Sequence, residues 1–138
     1  MSRNRTALIE AIEARRLSRF RWRRGRDCVS FAAACVKAQT GSDPLAGLGS
    51  WANLREARER VSAEGGLEAA LDARFDRVPP ALAQRGDIAG VPDPLFGIRL
   101  MVIEGEMLVG PATRGLERLP RSEMTIAWSI DARGSADE

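Results

Sequence analysis

The chain has no histidine and no tyrosine, only two cysteines, and a single lysine, Lys37, beside twenty arginines. Without imidazole there can be no Cys–His or Ser–His pair, in which a hydrogen-bonded base takes the nucleophile's proton. The same absence, with only two thiols, leaves no credible metal site, and no metal and no cofactor is expected. Two cysteines are also too few for the disulfide framework of a small secreted domain. No apolar run approaches the roughly 20 residues that a membrane span requires, and the N-terminus lacks a signal-peptide core. Gly47-Leu48-Gly49 lacks the strand-to-helix setting of a phosphate-binding loop. Synthesis in a reducing cytoplasm is the expectation.

What is present is ordinary in amount and uneven in place. A length of 138 residues, 44% of them hydrophobic and 29% charged, fits one soluble domain with its own core. The net charge is only +2, yet residues 1–26 carry nine arginines against Glu10 and Glu13. That end therefore holds +7 and the remainder −5. A basic end of this kind can meet nucleic acid or an acidic protein surface. With no tyrosine and no nucleic-acid fold signature, the protein surface is preferred, and Arg15, Arg16, Arg19, Arg23 and Arg24 are the expected contacts.

The most informative stretch runs from Trp22 to Gly41. Asp27 reads as the N-cap of a helix that opens with Cys28 and ends at Gly41, because its side chain can accept a bond from a free first-turn amide. In the first turn, unpaired N–H groups and the helix dipole favour a thiolate at Cys28. Val29, Phe31, Ala32, Ala33, Cys35, Val36 and Ala38 leave the same helix little polar surface, so it should be buried almost all round. Cys28 is then either a mounted nucleophile or a small buried apolar residue. Cys28 and Cys35 lie two helical turns apart, about 10 Å, too far to bridge.

In chain order, Thr6 to Phe20 reads as an amphipathic helix with Leu8, Ile12 and Phe20 along one stripe, flanked by Ile9 and Leu17. Arg21 to Arg26 is a loop anchored by Trp22 and bent at Gly25. Ser50 should cap a helix from Trp51 to Ala63, stopped by Gly65-Gly66, and a short helix from Leu67 to Arg74 follows. Pro79-Pro80 should end helical structure. From Arg85 the period changes to two, with strands expected at 86–91, 96–103, 106–109, 115–119 and 124–130. Pro92-Asp93-Pro94 reads as a turn and Gly110-Pro111 as a break. Helices first and antiparallel strands afterwards predict an α+β domain of N-terminal helices packed on an antiparallel sheet. The expected organisation is a basic helix or arm over 1–20, a domain over 21–130 and a polar tail over 131–138.

The ordered set Trp22-x-x-Gly25-x-Asp27-Cys28, Arg85-Gly86-Asp87-Ile88, Phe96-Gly97-Ile98 and a glycine hairpin resembles the NlpC-type branch of papain-like cell-wall peptidases. Thr40-Gly41-Ser42-Asp43-Pro44 and Ala127-Trp128 bring it closest to the short NlpC-like proteins of tail modules in phages and gene-transfer agents. The resemblance spans about residues 20–130. It implies a papain-like fold, with Cys28 as the nucleophile on a helix capped by Asp27. It also implies a histidine base opening the strand of Phe96-Gly97-Ile98 and a polar residue orienting that histidine from the next strand.

Carried onto this chain, the base position falls at about Leu95 and the orienting position near Val109. Neither can do the work: Leu95 cannot accept a proton, and Val109 cannot hold an imidazole. Loss of a triad base costs several powers of ten in rate. The resemblance therefore implies a degenerate, structural subunit of a tail tip or baseplate, made in the bacterial cytoplasm and carried in the virion tail. Its partners would be other tail proteins in a hetero-oligomer. The alternative is a cysteine-dependent peptidoglycan amidase or endopeptidase in which Asp87, Asp93, Glu104, Glu106 or a partner supplies the base.

Overall fold

A computed structural model describes residues 3–131 of the chain. The helices are α1 (Arg5–Glu13), α2 (Cys28–Thr40), α3 (Leu54–Ala63) and α4 (Leu67–Arg74). The strands are β1 (Asp76–Arg77), β2 (Ile88–Asp93), β3 (Gly97–Ile103), β4 (Met107–Pro111), β5 (Leu116–Pro120) and β6 (Ile126–Ser129). All pair antiparallel in one sheet of order β1-β6-β2-β3-β4-β5. The domain is α+β, as the succession of periods predicts.

Strand alternation explains the core. Ile88, Ile98, Leu100, Val102, Val109 and Trp128 face α1, α2 and α4, whose Leu8, Ile12, Phe31, Cys35, Leu67 and Leu71 are buried against them. The intervening Ala89, Val91, Met101, Ile103, Leu108 and Ala127 line the opposite face with Ala83 and Met124. The period of two thus feeds two apolar layers from one sheet. A smaller cluster of Ala33, Leu45, Trp51 and Ala57 joins α2 to α3.

Several boundaries differ from the sequence reading, each for a local reason. The first helix stops at Glu13 rather than Phe20. Its continuation is captured by the β4–β5 connection, where Gly115 N–H donates to Ser18 O at 2.8 Å and Phe20 N–H to Thr113 O at 3.0 Å. Gly115 is needed there: its φ is +76°, and an added Cβ would meet Arg16 O at 2.6 Å. Leu17, expected to flank the buried stripe, is left 80% exposed. α3 is capped by Asn53, whose Oδ1 accepts from Glu56 N–H at 2.9 Å, not by Ser50. Trp51 lies outside that helix because its indole turns inward.

In the sheet, β2 runs on through Pro92 to Asp93, so the expected turn shrinks to residues 94–96, with Asp93 Oδ1 accepting from Leu95 N–H at 2.9 Å. Gly110-Pro111 does not break β4 but forms its end, where Pro111 opposes Leu116 and the missing donor matters least. The two-residue β1 was not expected. A 3₁₀ turn over Pro80–Leu82 begins on the second of the prolines that were expected to end helical structure. Met124 caps another 3₁₀ turn, Arg121–Glu123, ahead of β6, and packs on the face opposite Ile126 and Trp128.

Candidate functional site

The N-terminus of α2 is built as its residues dictate. Asp27 is extended (φ −105°, ψ −179°), and its Oδ1 accepts the Ser30 N–H at 2.8 Å. Its second oxygen accepts Trp51 Nε1–H at 2.6 Å. The carboxylate is wholly buried. Burial raises its pKa, opposed by the bonds from Ser30 and Trp51 and by the charge of Arg15. Gly41 closes the helix in the left-handed region at φ +84°.

Before Asp27, the arginine loop is clamped from below. Arg15 is only 9% exposed, and its two terminal nitrogens donate to Gly25 O and Arg26 O, both at 2.7 Å. Its Nε is buried without a partner. Arg15 was expected on a docking surface; it is instead an internal fastener of the loop that leads into Cys28. Arg24 is likewise turned inward, donating to Leu45 O at 3.2 Å and to Gly49 O. Arg16, Arg19 and Arg23 remain exposed. Nor is α1 an arm: Leu8 and Ile12 are buried in the main core, and Asn4 N–H donates to Gln39 O at 3.2 Å.

Cys28 is 5% exposed, in the first turn of α2. Burial pushes its thiol up to about 12, and a backbone hydrogen bond with Leu100 offsets this only in part. Desolvation thus overrides the helix-terminus effect that favours a thiolate. Cys35, 0% exposed and also pushed up to about 12 by burial, is core.

Cys28 nevertheless lies in the wall of a groove between α2 and the β3–β5 side of the sheet. Phe20, Trp22 and Phe96 form one side, stacked edge-on with ring centroids 5.2 and 5.1 Å apart. Asp93, Thr113 and the ion pair between Arg99 and Glu117 supply its polar groups. Leu95 lies in this same groove, so the structure brings it together with Cys28. Val109 is fully buried in the core cluster that also includes Cys28. The groove can hold a ligand by apolar contact and by a few charged groups. It offers Cys28 no imidazole.

Trp51 as partner of Asp27 was missed in sequence, and Asp93 was named there as a possible base but not placed in the groove of Cys28. The first had no signal, since 24 residues separate donor and acceptor. The second was visible only as one of several carboxylates in the strand region.

Fold and site together define an α+β domain with a buried cysteine opening its central helix. Residues 1–130 match a family described as a domain of unknown function, DUF6950, and the chain belongs to that family. Comparisons with curated proteins and with solved structures return no match. No helix among the described residues is long and apolar enough to cross a membrane.

Proposed function

We infer that this chain is a non-catalytic subunit of NlpC-like fold, docking onto neighbouring proteins in the tail tip or baseplate of a phage or phage-like particle. One observation carries the loss of chemistry. Cys28 is buried with its thiol pushed up to about 12, and the positions that would hold base and orienting residue are Leu95 and Val109. A thiol so protonated, with no imidazole to take its proton, is a poor nucleophile at neutral pH. The particle is supported by the resemblance of the Trp22–Cys28, Thr40–Pro44 and Ala127-Trp128 motifs to tail-module proteins. The test is quantitative mass spectrometry of purified particles from the source organism. A small fixed copy number beside tail proteins is expected; absence from every particle would overturn the reading.

One observation favours a second reading, a cysteine-dependent peptidoglycan amidase or endopeptidase. Cys28 shares its groove with the carboxylate of Asp93, a candidate base. Incubation with purified peptidoglycan separates the two. Release of muropeptides that is lost in Cys28→Ala would sink the structural reading, and no release from the unaltered chain would sink the enzymatic one.

A further inference from the structure

Eight arginines among the described residues are paired with a carboxylate where they stand. Arg77, for instance, holds Glu68 at 2.6 Å and Asp72 at 2.8 Å, and Arg118 holds Glu104 at 2.7 Å. Nine others are exposed with no carboxylate within ion-pair distance among the described residues, and they include Arg19, Arg21, Arg23, Arg26 and Arg114. The fold gathers these five. Arg19 and Arg114 oppose each other in an antiparallel bridge. Arg21 N–H donates to Arg26 O at 3.2 Å, Arg26 N–H to Arg23 O at 2.9 Å, and the Arg26 guanidinium to Arg19 O at 3.4 Å.

Like charges directly opposite across a bridge destabilise the pair they form. Here one such pair lies with three more exposed arginines, and none of the five has a carboxylate within ion-pair distance among the described residues. An anion brought from outside would relieve that repulsion, and guanidinium groups are shaped for bidentate carboxylate contacts. In sequence, Phe20 and Trp22 alternate with the arginines, a pattern that could suggest base stacking. In the structure both rings are half-buried, Phe20 packed edge-on against Trp22 and Trp22 against Phe96. Asp93 and Glu117 stand in the adjoining groove and interrupt any positive track for a phosphate backbone. The cluster is a compact patch, not a stripe.

We propose that Arg19, Arg21, Arg23, Arg26 and Arg114 form the docking surface for an acidic segment of a partner protein. This rests on the reading of the chain as a docking subunit and names its interface. The test titrates labelled polyglutamate peptide with the full-length chain, with Arg23→Glu/Arg114→Glu, and with Arg5→Glu/Arg58→Glu. The last alters two exposed arginines outside the patch and changes net charge equally.

The patch variant should bind about tenfold more weakly or worse, and the control within about twofold of the unaltered chain. Arg114→Glu alone, which turns the repulsive bridge into an attractive one, should melt no lower than the unaltered chain. Equal weakening by both double variants, or tighter binding of a DNA duplex than of polyglutamate, would overturn the proposal. So would a lowered melting temperature for Arg114→Glu.

Particle assembly separates this proposal from the reading beneath it. Normal incorporation of Arg23→Glu/Arg114→Glu refutes the surface and leaves the tail role standing. Absence of the unaltered chain from particles refutes the tail role, while the peptide titration still decides the surface.

Discussion

Asp27, not Cys28, should be the residue at the α2 N-terminus on which stability depends. Asp27→Ala removes an N-cap, which costs about 1 kcal/mol. It also leaves the Trp51 indole N–H buried without an acceptor, which costs about 1–3 kcal/mol. Because burial already disfavours the carboxylate's charge, part of this is recovered, and a net loss of about 2–3 kcal/mol is expected. For a domain of this size that is a fall of about 10 °C in Tm. Asp27→Asn keeps the acceptor for Ser30 but sets an amide donor against the indole, so about 2 kcal/mol is expected. Cys28→Ala trims one sulfur from a groove wall and should cost about 1 kcal/mol or less. Urea unfolding followed by tryptophan fluorescence measures all three. A loss for Cys28→Ala equal to that for Asp27→Ala would refute the assignment of the structural role to the carboxylate.

Two further outcomes follow from burial. Both thiols are pushed up to about 12, against an ordinary 9.0, so the folded chain holds protons that the unfolded chain releases. Their contribution is complete below about pH 9 and is lost as pH rises from there towards 12. Urea midpoints should therefore fall on the alkaline side, less steeply in Cys28→Ala/Cys35→Ala; an unchanged slope would show that the thiols are not the cause. Deleting residues 1–19 should unfold the domain instead of merely freeing it from partners, because Leu8 and Ile12 are 2% and 3% exposed and each fills space worth about 2–5 kcal/mol. A truncated chain with native circular dichroism and a cooperative melt would refute that placement.

The helix over Cys28–Thr40 and the two-layer sheet were legible in sequence because local rules and tertiary burial agree there. Asp27 caps, Gly41 terminates, and Ile98, Leu100 and Val102 alternate. The first helix was overextended because its apolar spacing continues to Phe20, while the contact that ends it comes from Thr113 and Gly115, nearly a hundred residues away. Ser50 satisfied the rule for a cap as well as Asn53 does; the choice between them is made by the Trp51 indole, which must reach Asp27. At the site, the apolar character of Leu95 and Val109 was readable, but the burial of Cys28 was not. A first-turn cysteine is a nucleophile or a core residue according to what covers it, and Leu100 and Phe96 come from a distant segment of the chain.

Arg15 shows why charge position in sequence is a poor guide to charge function. Among the nine arginines before Asp27 it is buried as a carbonyl clamp, while Arg24 is half-spent on Gly49 and Leu45. Arg114, more than ninety residues on from Arg19, joins the unneutralised set through one bridge. The exposed positive field is therefore made by the same 18–20 to 113–115 pairing that cuts the first helix short. A chain whose first helix ran on to Phe20 would keep the arginines and lose their convergence. The strand-like turn after Ser18 thus assembles the proposed interface, and an anion from outside the described chain would relieve the like-charge repulsion that it creates.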